Sequence, residues 1–122
     1  MAGNAFGKIG FIGLGVMGEP MCRNLARKSG MPVMGLDRDA APMQRLAADG
    51  VAAAASVAEV ARACDVIFLS LPSGEIVDAI ARQADGLLAH ARAGQFIVDL
   101  STSDVTMTRA LAQDFEIGRA HV

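Results

Sequence analysis

Cysteine, basic charge and long apolar runs are all scarce in this 122-residue chain, and each scarcity excludes something. The two cysteines, Cys22 and Cys64, fall in different predicted elements, with no metal-ligand or Cys-x-x-Cys spacing. They read as small buried hydrophobes in a reducing cytoplasm, and no metal site is expected. The net charge is −2, and the two lysines and nine arginines are scattered without a basic run. That leaves no surplus for nucleic acid or an anionic membrane surface. The most apolar windows are broken by glycine or charge well short of the roughly 18 residues that a membrane helix needs. The amino terminus, MAGNAFGKIG, lacks the charged start and apolar middle of a signal peptide. His90 and His121 have no partners at ligand spacing and are expected to be exposed. No internal repeat or low-complexity linker interrupts the chain.

What the chain does have is apolar content, 52% of its residues, enough to bury a core in a single domain. Its organising stretch is KIGFIGLGVMGEPMCRNL, residues 8–25. An apolar run (Ile9, Phe11, Ile12) meets Gly13, Gly15 and Gly18, and a helical pattern follows (Met17, Met21, Cys22, Leu25). This is G-x-G-x-x-G between a strand and a helix, where its mechanism needs it. Gly13 allows the sharp turn, Gly15 lets a pyrophosphate approach the backbone, and Gly18 lets helix and strand pack closely. The helix start offers unpaired N–H groups and a positive dipole end. No G-K-[ST] follows, so this is not a mononucleotide phosphate loop. The fingerprint asks for an acidic residue about 20 positions on, after a second strand. Asp37 follows the strand-like Val33-Met34-Gly35-Leu36, 19 residues after Gly18.

In chain order, strands are expected at 8–12, 33–36, 51–54, 65–70 and 95–100. Helices are expected at 16–28, 40–48, 56–64, 74–82, 85–92 and 104–115. Asp39, Ser56 and Ser103 are the candidate N-caps, with Glu59 completing a capping box on Ser56. The run DVIFLS reads as a parallel strand covered on both faces. Gly118 stops the last helix, and Arg119 to Val122 opens a sixth strand. The alternation predicts an α/β fold, a doubly wound, Rossmann-like parallel sheet with right-handed crossovers. Strand order 3-2-1-4-5 puts the switch point between strands one and four. Four turns then share one sheet edge: 13–18, 37–38, 71–74 and 101–103.

Asp37 and Arg38 bear on the choice of cofactor. A carboxylate at 37 accepts hydrogen bonds from adenine ribose hydroxyls and repels a 2′-phosphate, whereas Arg38 can pair with one. Repulsion is the more direct effect, so NAD is expected, with NADP possible.

These residues resemble the β-hydroxyacid dehydrogenases, which include 3-hydroxyisobutyrate dehydrogenase, tartronate semialdehyde reductase and 6-phosphogluconate dehydrogenase. The matching segments are GFIGLGVMGEPMCRNL at 10–25, SLP at 70–72 and VDLST at 98–102, and the resemblance covers nearly the whole chain. It implies that Leu14, Val16 and Met17 line the pyrophosphate turn beside the three glycines. It implies that Leu71 and Pro72 pack near the adenosine side, that Thr102 approaches the nicotinamide, and that Ser101 contacts substrate. It implies hydride transfer between a nicotinamide and a short 3-hydroxy acid or its semialdehyde, in a homo-oligomer. Glyoxylate or succinic semialdehyde reduction, imine reduction, and a non-catalytic dinucleotide sensor are the alternatives.

The family continues past a Gly-Gly motif into a helical second domain carrying the catalytic lysine. That lysine is expected beyond Val122, and neither Lys8 nor Lys28 is placed to replace it. Residues 1–122 are therefore read as an amino-terminal dinucleotide-binding domain cut near the start of strand six, with no catalytic residue of its own. Strand five is then an edge prone to pairing with another chain.

Overall fold

Ile9, Phe11 and Ile12 are too apolar to stay in water, and burying them places the first strand at the centre of the sheet. The computed structural model describes residues 7–101 and 105–117. The strands are β1 (Ile9–Ile12), β2 (Val33–Leu36), β3 (Ala52–Ala53), β4 (Val66–Leu69) and β5 (Phe96–Asp99). The helices are α1 (Gly18–Lys28), α2 (Ala40–Ala47), α3 (Val57–Ala63), α4 (Gly74–Arg82) and α5 (Val105–Ile117). All strand pairs are parallel, in the order β3-β2-β1-β4-β5. The expected fold class and strand order hold. Thr102, the Ser103 cap, Gly118, His121 and the sixth strand at 119–122 lie outside the described residues.

Each face of the sheet carries its own core. Phe11, Leu14, Cys22, Leu46 and Val51 pack together on one. Ile12, Val60, Ile67, Leu69, Val77, Ile97 and Phe115 pack together on the other. The second face is close-packed at Gly10, where a Cβ would press into the Val60 and Cys64 side chains. Burial pushes the thiols of Cys22 and Cys64 up to about 11, so both stay protonated, as small hydrophobes should.

The expectation that the fourth strand is covered on both faces needs correction. Ile67 and Leu69 are fully buried, but Phe68 on the opposite face is only half buried, stacked on Phe11 with ring centroids 5.7 Å apart. Beside it lies an open groove of about 410 Å³, lined by Phe11, Met21, Asn24, Leu25, Lys28, Ser29, Phe68 and Leu100. Handedness is the reason. Right-handed crossovers running from β1 out to β3 put α1 and α2 on one face, and crossovers running back to β4 and β5 put α3 and α4 on the other. No crossover helix of this order can cover β4 on the α1 side.

The helix expected over 85–92 is also corrected. It is a single 3-10 turn, Leu88–His90. The backbone turns extended at Gln83, and Gly86 packs so tightly that a Cβ there would meet the carbonyls of Ile80 and Ala81. Leu87 is thereby driven into the core, leaving too little chain for a regular helix. His90, expected to be exposed, is half-buried, and its Nε2 lies 2.7 Å from Asp85 Oδ1.

Among the described residues, three helices begin with side-chain caps. Asp39, Ser56 and Ser73 accept hydrogen bonds from Ala41 N (3.2 Å), Glu59 N (3.2 Å) and Ile76 N (3.3 Å). Glu59 reaches back one residue further than a capping box requires, to accept from Ala55 N at 2.7 Å. Ion pairs bind α1 to α2 and to the turn that follows it: Glu19 accepts from Arg23 (2.9 Å) and Arg45 (2.7 Å), and Asp49, just past α2, accepts from Arg23 and Arg27.

The Arg45 guanidinium, and then that of Arg23, hold the Glu19 carboxyl down at about 2. A carboxyl depressed by folding stabilises the fold above its ordinary value near 4.5 and loses that contribution as pH falls towards 2. Wild type is therefore expected to melt higher than Glu19→Gln at pH 6, with the gap narrowing between pH 4.5 and pH 2.5. A gap that stays constant across this window, in melts followed by circular dichroism, would count against the cluster.

Candidate functional site

The carboxyl ends of four neighbouring strands are knitted together before any ligand is considered. Gly13 N donates to Leu36 O at 2.9 Å, Ser70 N to Ile12 O at 2.9 Å, and Leu100 N to Leu69 O at 2.8 Å. These bonds fix the exits of β1, β2, β4 and β5 along one edge, and the four turns singled out in the sequence leave from it.

Two glycines of the turn are required by packing. Gly13 has φ +99°, and a Cβ there would fall on the Ser70 carbonyl. A Cβ on Gly18 would fall on the carbonyl of Gly13, so this glycine lets α1 start directly beside the strand it left. Gly15 is different. Among the described residues nothing lies within 4 Å of where its Cβ would be, so no contact there asks for glycine. Space outside the backbone is what it preserves.

Over that space lies the start of α1. Its N-cap, Met17, makes no side-chain capping bond, unlike the residues that open α2, α3 and α4. Glu19 N donates to Gly15 O at 3.0 Å, but among the described residues the amides of Val16, Met17 and Gly18 have no hydrogen-bond partner. Unpaired amides at a helix start, with the positive end of its dipole, form an anion-binding site. A pyrophosphate fits this cradle: the donors are there, and Gly15 leaves the backbone open to approach.

The carboxylate of Asp37 stands against the same turn. Its Oδ2 accepts from Leu14 N at 2.6 Å and its Oδ1 from Asp39 N at 2.9 Å. Arg38 is exposed and has no ion pair or hydrogen bond among the described residues.

The other candidates are placed as follows. Val16 and Met17 project into solvent, 91% and 70% exposed, at the rim of the cradle. The side chain of Leu14 points the other way, 2% exposed, so it does not line the turn as expected. It packs beneath Gly35, whose Cβ, if present, would meet Leu14 Cδ1. An apolar residue between two glycines faces the core because the turn is too tight to present both sides. Leu71 is half-buried against the core and Pro72 is exposed.

Ser101 is engaged within the chain. Its Oγ accepts from Leu71 N at 2.7 Å and lies 3.4 Å from Leu69 O, to which it donates. It therefore holds the exit of β5 against the exit of β4. Thr102 lies outside the described residues. Lys28 closes α1 about 15 Å along the helix from Gly18, on a rise of about 1.5 Å per residue, and Lys8 precedes β1 at the opposite end of the strand from the turn. Neither lysine reaches the cradle. Among the described residues no cluster of acidic, histidine and cysteine side chains could hold a metal ion, and no helix is long and apolar enough to cross a membrane.

Sequence reasoning missed the Asp37–Leu14 bond, which no motif announces, and the Ser101–Leu71 bond. The apolar groove is lined by none of the glycine-turn residues. Its lining is mainly apolar, with Asn24, Lys28 and Ser29 as its polar members, and it is separate from the glycine turn.

Comparison with known proteins places this geometry among relatives. Residues 8–122 match a family model described as the NAD binding domain of 6-phosphogluconate dehydrogenase. The chain is 41% identical over 106 residues to 2-(hydroxymethyl)glutarate dehydrogenase of Eubacterium barkeri, covering 87% of this chain and 35% of that protein. It is 36% identical over 104 residues to an NAD-dependent L-serine dehydrogenase of Pseudomonas aeruginosa, covering 85% of this chain and 35% of that protein. Among solved structures, Mycobacterium tuberculosis 3-hydroxyisobutyrate dehydrogenase with L-serine superposes with a TM-score of 0.84 at 35% identity, over 94% of this chain and 38% of that one. The chain spans about a third of the length of the curated relatives it matches.

Proposed function

The chain belongs to the family of the NAD binding domain of 6-phosphogluconate dehydrogenase, and from that premise we propose that it holds the nicotinamide dinucleotide of a hydroxy-acid oxidoreductase. The observation that carries this reading is the open cradle at Gly15, with unpaired amides at Val16, Met17 and Gly18 and the Asp37 carboxylate beside it. The amides and helix dipole take the pyrophosphate, and Val16 and Met17 flank it. Asp37 accepts from the adenine ribose hydroxyls. Leu71 and Pro72 bound the adenosine side, and the family resemblance assigns the nicotinamide end to Thr102, which lies outside the described residues. Ser101 sets the spacing of the two turns and keeps an acceptor position for substrate.

The nicotinamide, when bound, supplies the hydride chemistry, and the chain's part is to bind and orient it. The substrate class of the parent enzyme is a short 3-hydroxy acid or its semialdehyde. Support comes from relatives named for dehydrogenation of 2-(hydroxymethyl)glutarate, L-serine and 3-hydroxyisobutyrate. No proton-transfer residue is assigned within residues 1–122, which act as one dinucleotide-binding domain. Two buried free thiols suit a reducing, cytoplasmic setting. The open apolar groove over β4 suits a homo-oligomeric parent in which that face is covered.

The test is a calorimetric titration of the folded chain with NADH and with NADPH. Saturable binding with NADH tighter is expected, and a folded chain that binds neither would overturn the reading. Asp37→Asn is expected to move the NADPH-to-NADH affinity ratio towards NADPH by about tenfold, since it removes a charge repulsion of about 1–2 kcal/mol near the surface. An unchanged ratio would remove Asp37 from cofactor selection.

A further inference from the structure

The carboxylate that should read the ribose is already bonded within the chain. Asp37 Oδ2 accepts the Leu14 amide at 2.6 Å, and Asp37 Oδ1 accepts the Asp39 amide at 2.9 Å. Leu14 sits between Gly13 and Gly15, so the first bond holds the turn at its sharpest point. Asp39 is the N-cap of α2, so the second fixes the exit of β2. We propose that Asp37 is a positioning residue of the glycine turn as well as the selector of the cofactor, so that no substitution at 37 changes selectivity without loosening the turn. This rests on the dinucleotide reading above.

A carboxylate offers about four acceptor positions. Two are used inside the chain, and two remain for a ribose diol. Hydrogen bonds to a carboxylate are roughly twice as strong as neutral ones, and the Leu14 bond is short even for that class. Asparagine keeps one acceptor oxygen and turns its NH₂ towards the other amide. Alanine removes both acceptors. Val16 and Met17, exposed and following the open Gly15, have little else to order them. In either variant the segment must be ordered when the ligand binds, which weakens every dinucleotide. A role in charge selection alone has the opposite consequence for NADPH, because deleting a carboxylate beside a 2′-phosphate tightens that complex. The sign of the change in NADPH affinity separates the two.

The experiment uses the ¹⁵N-labelled 122-residue chain as wild type, Asp37→Asn and Asp37→Ala. Without ligand, the Leu14 amide should be protected from hydrogen exchange in wild type. In both variants it should exchange about tenfold or more faster, while the Ser70 amide, bonded to Ile12 O, keeps its rate. With ligand, both variants should bind NADPH more weakly than wild type, even as the NADPH-to-NADH ratio rises. Unchanged Leu14 exchange, or a variant that binds NADPH more tightly than wild type, overturns the proposal. If the variants do not fold, a scalar coupling across the hydrogen bond from Leu14 nitrogen to the Asp37 carboxylate carbon in wild type supports the clamp, and its absence overturns it. A wild type that binds neither dinucleotide sinks the functional reading, while Leu14 exchange still decides the clamp.

Discussion

Gly13→Ala should unfold the chain or leave it barely folded at room temperature. Three costs act at one atom. The backbone has φ +99°, where an L-residue is strained by about 1–2 kcal/mol. The new methyl falls on the Ser70 carbonyl, which belongs to the backbone and cannot rotate away. Relief requires moving the exit of β4, and with it the bond from Ser70 N to Ile12 O. A total of about 4 kcal/mol or more is a large share of the roughly 5–15 kcal/mol that stabilises a domain. Urea unfolding followed by circular dichroism measures it, and a loss under about 1 kcal/mol would show that the turn yields where the geometry says it is fixed.

Gly15→Glu should do the reverse: keep the fold and abolish dinucleotide binding. Among the described residues nothing lies within 4 Å of the site, and Gly15 is not among the positive-φ glycines, so an added side chain meets neither those atoms nor strain. Its stability should match wild type within about 0.5 kcal/mol, as for an ordinary surface substitution. The carboxylate would occupy the approach to the Val16–Gly18 amides and oppose the pyrophosphate charge. A loss of about 100-fold or more in NADH affinity is expected, equivalent to about 3 kcal/mol of repulsion and lost contact. Calorimetry and a melt on the same sample read both halves. Binding within threefold of wild type would place the dinucleotide elsewhere. The two glycines stand two residues apart in one motif, and the experiments should sort them cleanly into fold and ligand.

The strand order and the glycine turn were legible in the sequence because they rest on local rules. Apolar runs alternate with helical periods, handedness restricts the topology, and each glycine of the turn has a reason visible at short range. The departures all involve geometry at longer range. Glu19 and Arg23 announce themselves as an i, i+4 pair, but Arg45 and Asp49 join them only because α1 and α2 lie side by side. Phe68 reads as a buried strand residue, and only the crossover hand leaves its face open. Leu14 looks like part of a ligand-facing turn, yet its side chain and its amide are both taken up by the chain itself. Backbone donors carry no letter in the sequence, so the clamp from Asp37 was invisible until the strands were assembled.

On the proposed dinucleotide reading, the uncapped start of α1 ties the folded chain to the supply of its ligand. Helices α2, α3 and α4 carry their own side-chain caps. A bound anion can replace water on the open amides at the start of α1, and a ligand held only by the folded state links occupancy to folding. At a free ligand concentration 100 times the dissociation constant, that linkage is worth about 2.7 kcal/mol. The population of opened, protease-susceptible molecules would then fall about 100-fold as the dinucleotide pool rises, and the lifetime of the protein would track the size of that pool.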